Sequence, residues 1–324
     1  MTAEEKNPSI SVIAASYLGP SLSPNEDLPW DEASLPHSCD DLVQKILGQP
    51  MRRAGRFIKM VCAGAMACLR EVPPETLKDK RTGIFLATGL GNGDEILPFV
   101  TQVFKHDGGF PSPNQFANSV SNAAAFFLAR TSDISGVILT VSDEELSFEA
   151  ALWLAQSYLE SGEIDLALVG GCDVYTPTVE EYRERMNTSP ANARDLPIGE
   201  GSSWLLLGLD QPERIGEILA VQMHSAAISP SEYLRSEDYS MLSAAAADRP
   251  CRVWLPGFRL KNPDAPQGFG LHDYLQSCGI HPTASAFGMA RAMRTNPASL
   301  LIHYNQLASG RTAVIAAKTS QHIE

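Results

Sequence analysis

Positive charge is scarce in this sequence: 25 lysines and arginines stand against 38 acidic residues, a formal net charge of −13. That balance argues against general binding to phosphate backbones, so nucleic acid is not an expected partner, although a short basic cluster runs from Arg52 and Arg53 to Arg56. Long apolar runs are missing too. None approaches the roughly 18 residues of a spanning helix, and no membrane segment is expected. The opening MTAEEKNPSI has neither the basic region nor the apolar core of a secretory signal, which implies a cytoplasmic location. The six cysteines form no CxxC pair and show no zinc spacing. Cys62 and Cys68 lie in an apolar helical run, where cysteine behaves as a small hydrophobe, and the set reads as reduced and structural. No cysteine at all lies between Cys68 and Cys172.

What is present is enough apolar material for a large core. With 324 residues and 44% hydrophobic content, two intimately packed halves are expected, an N-terminal one over 1–200 and a C-terminal one over 201–324. Ile10–Ala15 reads as a strand, and the Pro- and Asp-rich Gly19–Pro36 as loop. Met51–Arg70 has apolar residues at helical spacing, with small residues that imply close packing, and Pro73-Pro74 ends it. Arg81–Thr88 is a strand. The turn GLGNGD leads into a helix over Glu95–Lys105, a Gly- and Pro-containing loop over Asp107–Pro113, and a small-residue helix over Phe116–Arg130. Ser135–Val141 is nearly continuous in apolar residues and predicts a strand buried on both faces. Ala150–Leu159 is helical and Leu166–Gly170 a further buried strand. In the second half, Gly201–Leu209 and Ile215–Met223 predict a hairpin and Ser231–Ala246 a helix. Ser285–Arg294 is another small-residue helix, and Leu300–Tyr304 and Arg311–Ala317 close the chain as strands. The alternation indicates an α/β protein with a largely parallel sheet, its arrangement of elements occurring twice.

Within that grammar the stretch VSDEELSFEAALWLAQSYLESGEIDLALVGG puts Glu144 and Glu145 where a strand turns into a helix. Acids there satisfy free helix amides and the macrodipole, worth about 0.3–1 kcal/mol. The same turn is where many α/β enzymes hold a nucleophile. GLGNGD allows close backbone approach, but it lacks both GxGxxG and a P-loop lysine, which argues against nucleotide binding.

Several segments resemble β-ketoacyl synthases. RRAGRFIKMVCAGAMACLRE is similar to a helix of that family, RTGIFLATGLGNGD to its strand and glycine turn, PNQFANSVSNAAAFFLA to a following helix, and GEIDLALVGGCD to its VGG strand. The resemblance is good over about 52–173 and weaker beyond, where LLIHYNQLASGRTAVIAA resembles the closing glycine-rich strand-loop-strand. It implies a thiolase-like layered fold with duplicated α/β halves, α/β/α/β/α. Family catalysis uses a cysteine at the strand-to-helix turn, where a thiolate is favoured and a thioester divides condensation into easier steps, together with two histidines. Aligned on Gly162, the cysteine's position falls on Glu145, or one residue earlier on Glu144. The segment PCRVWLPGFRLKNPD lacks the first histidine, and the second position falls on His281 or Ile280. His303 reads as an ordinary core or interface histidine.

The resemblance therefore points to the class that lacks the nucleophile, the chain length factor or ketosynthase β subunit of type II polyketide synthases. It implies a heterodimer with a cysteine-bearing ketosynthase α subunit and an acyl carrier protein as outside partner. No cofactor is expected on this chain, the phosphopantetheine arriving on the carrier protein. The apolar helix face that includes Ile96, Phe99 and Val100 is ordinarily core; under the resemblance these residues, with Phe116 from the next helix, are expected to gate the polyketide channel. The alternative activity is decarboxylation of malonyl carrier protein by the acid at the vacant site.

Overall fold

Short apolar segments, bounded by glycine, proline and acids, form ten strands in the computed structural model, which describes residues 9–105, 112–176, 184, 186, 196–260 and 264–321. They are β1 (Ile10–Ser16), β2 (Thr82–Ala87), β3 (Ile138–Val141), β4 (Leu166–Asp173) and β5 (Gly201–Leu209), then β6 (Gly216–His224), β7 (Cys251–Pro256), β8 (Gly270–Leu271), β9 (Ser299–Gln306) and β10 (Thr312–Thr319). The sheet order is β3-β2-β4-β5-β1-β6-β10-β9-β7-β8.

That order is one five-stranded pattern used twice. β2 is parallel to β3 and β4, β4 antiparallel to β5, and β5 antiparallel to β1. β7 repeats this with β8 and β9, β9 with β10, and β10 with β6. The two leaves join where Ile10–Val12 pairs with Gly216–Ile218.

Helices fill the layers around the leaves. On the outer face of the first leaf lie α1 (Asp40–Leu47), α2 (Arg56–Leu69) and α5 (Ala123–Ser132). Small residues let α2 approach β5 closely: a Cβ on Gly64 would stand 2.6 Å from the Ser202 carbonyl oxygen. Between the leaves run α6 (Ser147–Glu160) and α10 (Ala284–Thr295), whose Phe148, Leu152, Phe287 and Met289 share one apolar core with both leaves. Tyr233 and Tyr239, from α7 (Pro230–Tyr233) and α8 (Glu237–Ala245), pack on Trp254 and Tyr304 outside the second leaf. Among the described residues the remaining α-helices are α3 (Gly93–Lys105), α4 (Pro113–Ser119) and α9 (Leu275–Cys278). The layering is the thiolase-like one, helices and sheet alternating in five layers.

Five sequence expectations change. The sheet is mixed and not largely parallel: five of its nine strand pairings are antiparallel. β5 and β6 form no hairpin, because β1 lies between them and pairs with both; its Val12 and Ala15 are fully buried, so both edges of β1 need partners. β3 is a short edge strand and not buried on both faces: its residues are exposed or half-exposed, Ile138 at 39%. The helix expected over 231–246 is two, because Ser229 and Ser236 each cap a new start, accepting from the Glu232 and Tyr239 amides. The helix expected from Phe116 is likewise broken into α4 and α5, by Val120 in extended conformation. The loop expected at Asp107–Pro113 lies almost wholly outside the described residues. Among those described, no helix is long and apolar enough to cross a membrane.

Candidate functional site

Parallel strands direct their C-terminal ends to one side, and there the two halves meet. Asp173, at the end of β4, is the polar junction. Its carboxylate accepts from the Thr88 hydroxyl at 2.8 Å and the Leu90 amide at 2.9 Å after β2, and from the Thr283 amide and hydroxyl at 3.0 and 2.9 Å before α10. Full burial still outweighs these donors and pushes its carboxyl up to about 6.

The turn from β3 to α6 is closed by its own side chains. Ser147 donates to the Glu144 carbonyl at 2.7 Å and accepts from the Asp143 amide at 2.8 Å, while Asp143 holds Arg311 through two contacts of 2.8 Å. The tight path puts Glu144 at φ 50, in the left-handed region that non-glycine residues rarely occupy. A sharp, strained strand-to-helix turn of this kind is how α/β enzymes raise a nucleophile. Glu144 points to solvent; Glu145 is fully buried.

Glu145 meets a cation from the other half. Arg259, three residues beyond β7, brings its Nη2 to 2.6 Å from Glu145 Oε1, with both side chains almost wholly inaccessible. The guanidinium lies 5.1 Å from the centre of the Phe258 ring, which favours the cation electrostatically. Asn305, in β9, donates from Nδ2 to the Glu145 carbonyl at 2.7 Å and to Glu149 Oε1 at 2.8 Å. Burial pushes Glu149 up to about 7, and holds His303 down to about 3. His303 Nε2 is 3.1 Å from the Tyr274 hydroxyl, whereas its Nδ1 lies 3.7 Å from Glu149 Oε1, beyond hydrogen-bonding reach. His281 is buried, its imidazole held down to about 3 by burial, and adjoins Gly201 at the start of β5; Ile280 is buried beside it and bridges to Ile198. The cysteine nearest the turn in sequence on the C-terminal side, Cys172, is buried in β4 with its thiol pushed well above its ordinary value by burial.

The expected gate residues lie on a different surface. Phe99 of α3 and Phe116 of α4 meet, ring centres 5.7 Å apart, and Ile96 and Val100 share the α3 face. That face is not core: α3 buries none of its residues within this chain, and Phe104 at its end is 79% exposed.

Sequence reasoning missed Arg259, Asn305 and Glu149. Arg259 sits within the segment singled out for lacking a histidine, and Glu149 was hidden by starting the helix at Ala150 when α6 begins at Ser147. Glu145 and Glu149 are four residues apart, the spacing that places two side chains on one helical face. Nothing local marks Asn305, whose partners lie some 160 residues away in sequence.

A doubled α/β leaf around two central helices, with a strained turn at the N-terminus of one, defines the thiolase-like class. A model of the β-ketoacyl synthase N-terminal domain matches residues 32–196, and the chain belongs to that family. No curated protein matches it. Among solved structures it is similar to the ishigamide ketosynthase/chain length factor (15% identity, TM-score 0.69, 96% of this chain and 99% of that one). It is also similar to a type II polyketide synthase ketosynthase, bound to the hexaketide, in complex with its acyl-carrier protein (13%, TM-score 0.70, 97% and 100%). A β-ketoacyl synthase from Burkholderia phymatum matches comparably (14%, TM-score 0.68, 96% and 99%). At these identities the likeness is one of fold.

Proposed function

We propose that this chain is a chain length factor, a noncatalytic subunit that pairs with a cysteine-bearing ketosynthase and bounds the polyketide channel. The observation that carries the reading is the content of the strand-to-helix turn. Two acids stand at the turn where the family resemblance puts the thiol, one of them held against Arg259 in the interior, and the segment expected to bear the first histidine supplies that arginine. A carboxylate is no substitute for a thiolate as acyl carrier, since acylation would give a mixed anhydride that water hydrolyses readily. The left-handed backbone favours Glu144 over Glu145 as the residue at the nucleophile's position.

Surface chemistry supports a partner. Phe104, Phe116, Phe126, Ile138 and Trp153 are exposed apolar residues on α3, α4, α5, β3 and α6. β3 is a sheet edge, and its free backbone groups suit pairing with another strand. A ketosynthase α subunit covering this face would bury both, and would bring its channel against Ile96, Phe99, Val100 and Phe116. The acyl carrier protein, bearing the phosphopantetheine, would deliver substrate to the catalytic subunit. Decarboxylation by the acid at the vacant site, the alternative reading, would fall to Glu144, because Glu145 Oε1 is already committed to Arg259.

The test is co-expression with a cysteine-bearing ketosynthase from the same biosynthetic system, then size-exclusion chromatography and condensation assays. We expect a heterodimer active only with both subunits, and intact-mass spectra showing acylation of the partner alone. A stable acyl adduct on this chain, or a monomer that ignores such a ketosynthase, would overturn the reading.

A further inference from the structure

In a chain of net charge −13, a place where cations outnumber anions stands out. One lies at the end of the second leaf remote from the strand-to-helix turn, where β6 and β7 begin and β10 ends. Arg214, Glu217, Asp248, Arg249 and Lys318 line a cleft there of about 290 Å3, at the lower end of ligand-sized pockets, which run over roughly 300–1,000 Å3. We propose that this cleft is a phosphate-binding site, with Arg249 and Lys318 as its chief anion-holding groups.

The charges do not balance within the chain. Glu217 and Lys318 are cross-strand partners on β6 and β10; Glu217 Oε1 lies 2.6 Å from Arg214 Nη2, and its Oε2 3.2 Å from Lys318 Nζ. One carboxylate thus serves two cations and leaves a positive charge over. Arg249 adds a third cation. It contacts the neighbouring Asp248 at 3.1 Å, but that side chain is 62% exposed, so water screens the pair and it contributes little. Arg249 itself is only 13% exposed, and its Nε is buried with no hydrogen-bond partner among the described residues. A buried guanidinium donor left unmade is costly, and an acceptor bound in the cleft removes that cost.

The arrangement selects the ligand. Cations from three separate segments of chain suit a compact anion with acceptors on several sides, and the guanidinium fork matches two oxygens of a tetrahedral phosphate while an ammonium meets a third. A planar carboxylate would satisfy one guanidinium and leave the other cation unmet. Glu217 also lines the cleft, and its charge opposes the anion, which holds the affinity down. The cleft includes no residue of the turn at Glu144 or of α3, so the inference goes beyond the partner role and stands without it.

The experiment is calorimetric titration of the full chain with inorganic phosphate and, separately, with glycerol 3-phosphate, at fixed ionic strength and neutral pH. We expect saturable binding at one site per chain, weakened by added sodium chloride. Arg249→Met and Lys318→Met should each raise Kd about 10- to 100-fold, the loss of one charge-assisted hydrogen bond. If Arg249→Met does not fold, Lys318→Met decides. Glu217→Gln should instead lower Kd by about threefold or more, because it removes a like charge and keeps the side chain's shape; a carboxylate that only held the strands together would give no such gain. Glycerol 3-phosphate that competes with phosphate assigns the site to a phosphoryl group on an organic carrier, and phosphate binding alone assigns it to the free anion. Absence of saturable binding in both wild type and Glu217→Gln, or binding that Arg249→Met and Lys318→Met leave unchanged, overturns the proposal. Neither result bears on ketosynthase pairing, so this test and that of the partner role fail separately.

Discussion

The turn at Glu145 and the face of α3 invert the usual distribution of residues. At the turn, a carboxylate and a guanidinium are buried together where the interior would ordinarily be apolar or open to substrate. On α3, leucine, valine and phenylalanine face outward where a lone subunit would carry charge. A monomeric enzyme of this fold would need the opposite: a reachable pocket and a soluble surface. Both departures can be disturbed separately. Four substitutions do so, ordered here by their expected effect on the chain's own stability.

Arg259→Ala comes first. It strands Glu145 without its counter-charge, and breaking a buried pair costs about 3–5 kcal/mol. Replacing both partners by apolar residues, Glu145→Leu with Arg259→Met, should recover most of that loss, because desolvating the charges then no longer has to be offset. Denaturant titration of the three chains measures the coupling. A double variant as unstable as Arg259→Ala would show that packing, and not charge, closes the turn.

Glu149→Gln is next, and its effect depends on pH. Burial raises the folded pKa from 4.5 to about 7. Between those values the folded chain keeps a proton that the unfolded chain has released, so stability falls as pH rises through the window, and the full cost is present above it. The variant should therefore be more stable than wild type at pH 8 by about 1–3 kcal/mol, and equal to it near pH 4. His303 acts in the opposite sense: its folded pKa is lowered to about 3, so the unfolded state binds the extra proton and stability is lost as pH falls from 6.5 towards 3. Unfolding curves across pH 4–8 separate the two contributions.

Phe99→Ala should cost less than about 1.5 kcal/mol, since the ring is only half-buried in this chain and loses chiefly its contact with Phe116. If α3 closes the channel of a heterodimer, product mass spectra will show longer polyketides at an unchanged initiation rate, and Val100→Phe will shorten them. Unchanged length in both directions would remove α3 from the gate.

Phe104→Asp, at the most exposed ring of the patch, should change the chain's stability by no more than about 0.5 kcal/mol. Its effect should fall on partnership: a charge buried without a counter-charge in an apolar interface disfavours assembly, so co-purification with the ketosynthase should drop sharply. Retained assembly would mean that the exposed α3 face is not where the partner sits.

The contrast between turn and face also shows why the sequence was readable in some places and opaque in others. β2, β4 and β5 were legible because each is a short apolar run bounded by turn residues, and the local pattern is the same whichever strand lies beside it. β3 carried the same signal and proved an edge, since an apolar run does not reveal whether its second neighbour is another strand of the same chain. The apolar period of α3 was equally plain, but the same stripe serves a core and a surface awaiting cover.

By itself, then, the sequence determined an α/β chain of repeated elements, family motifs over its first half, and two acids at a strand-to-helix turn. These follow from local periodicity, from turn chemistry and from which residue stands at one position. Only the tertiary structure decided that β1 separates β5 from β6, that Arg259 neutralises Glu145 from 114 residues away, and that α3 faces outward. Pairing across such separations depends on how the two leaves close around α6 and α10, and no local window of sequence contains that geometry.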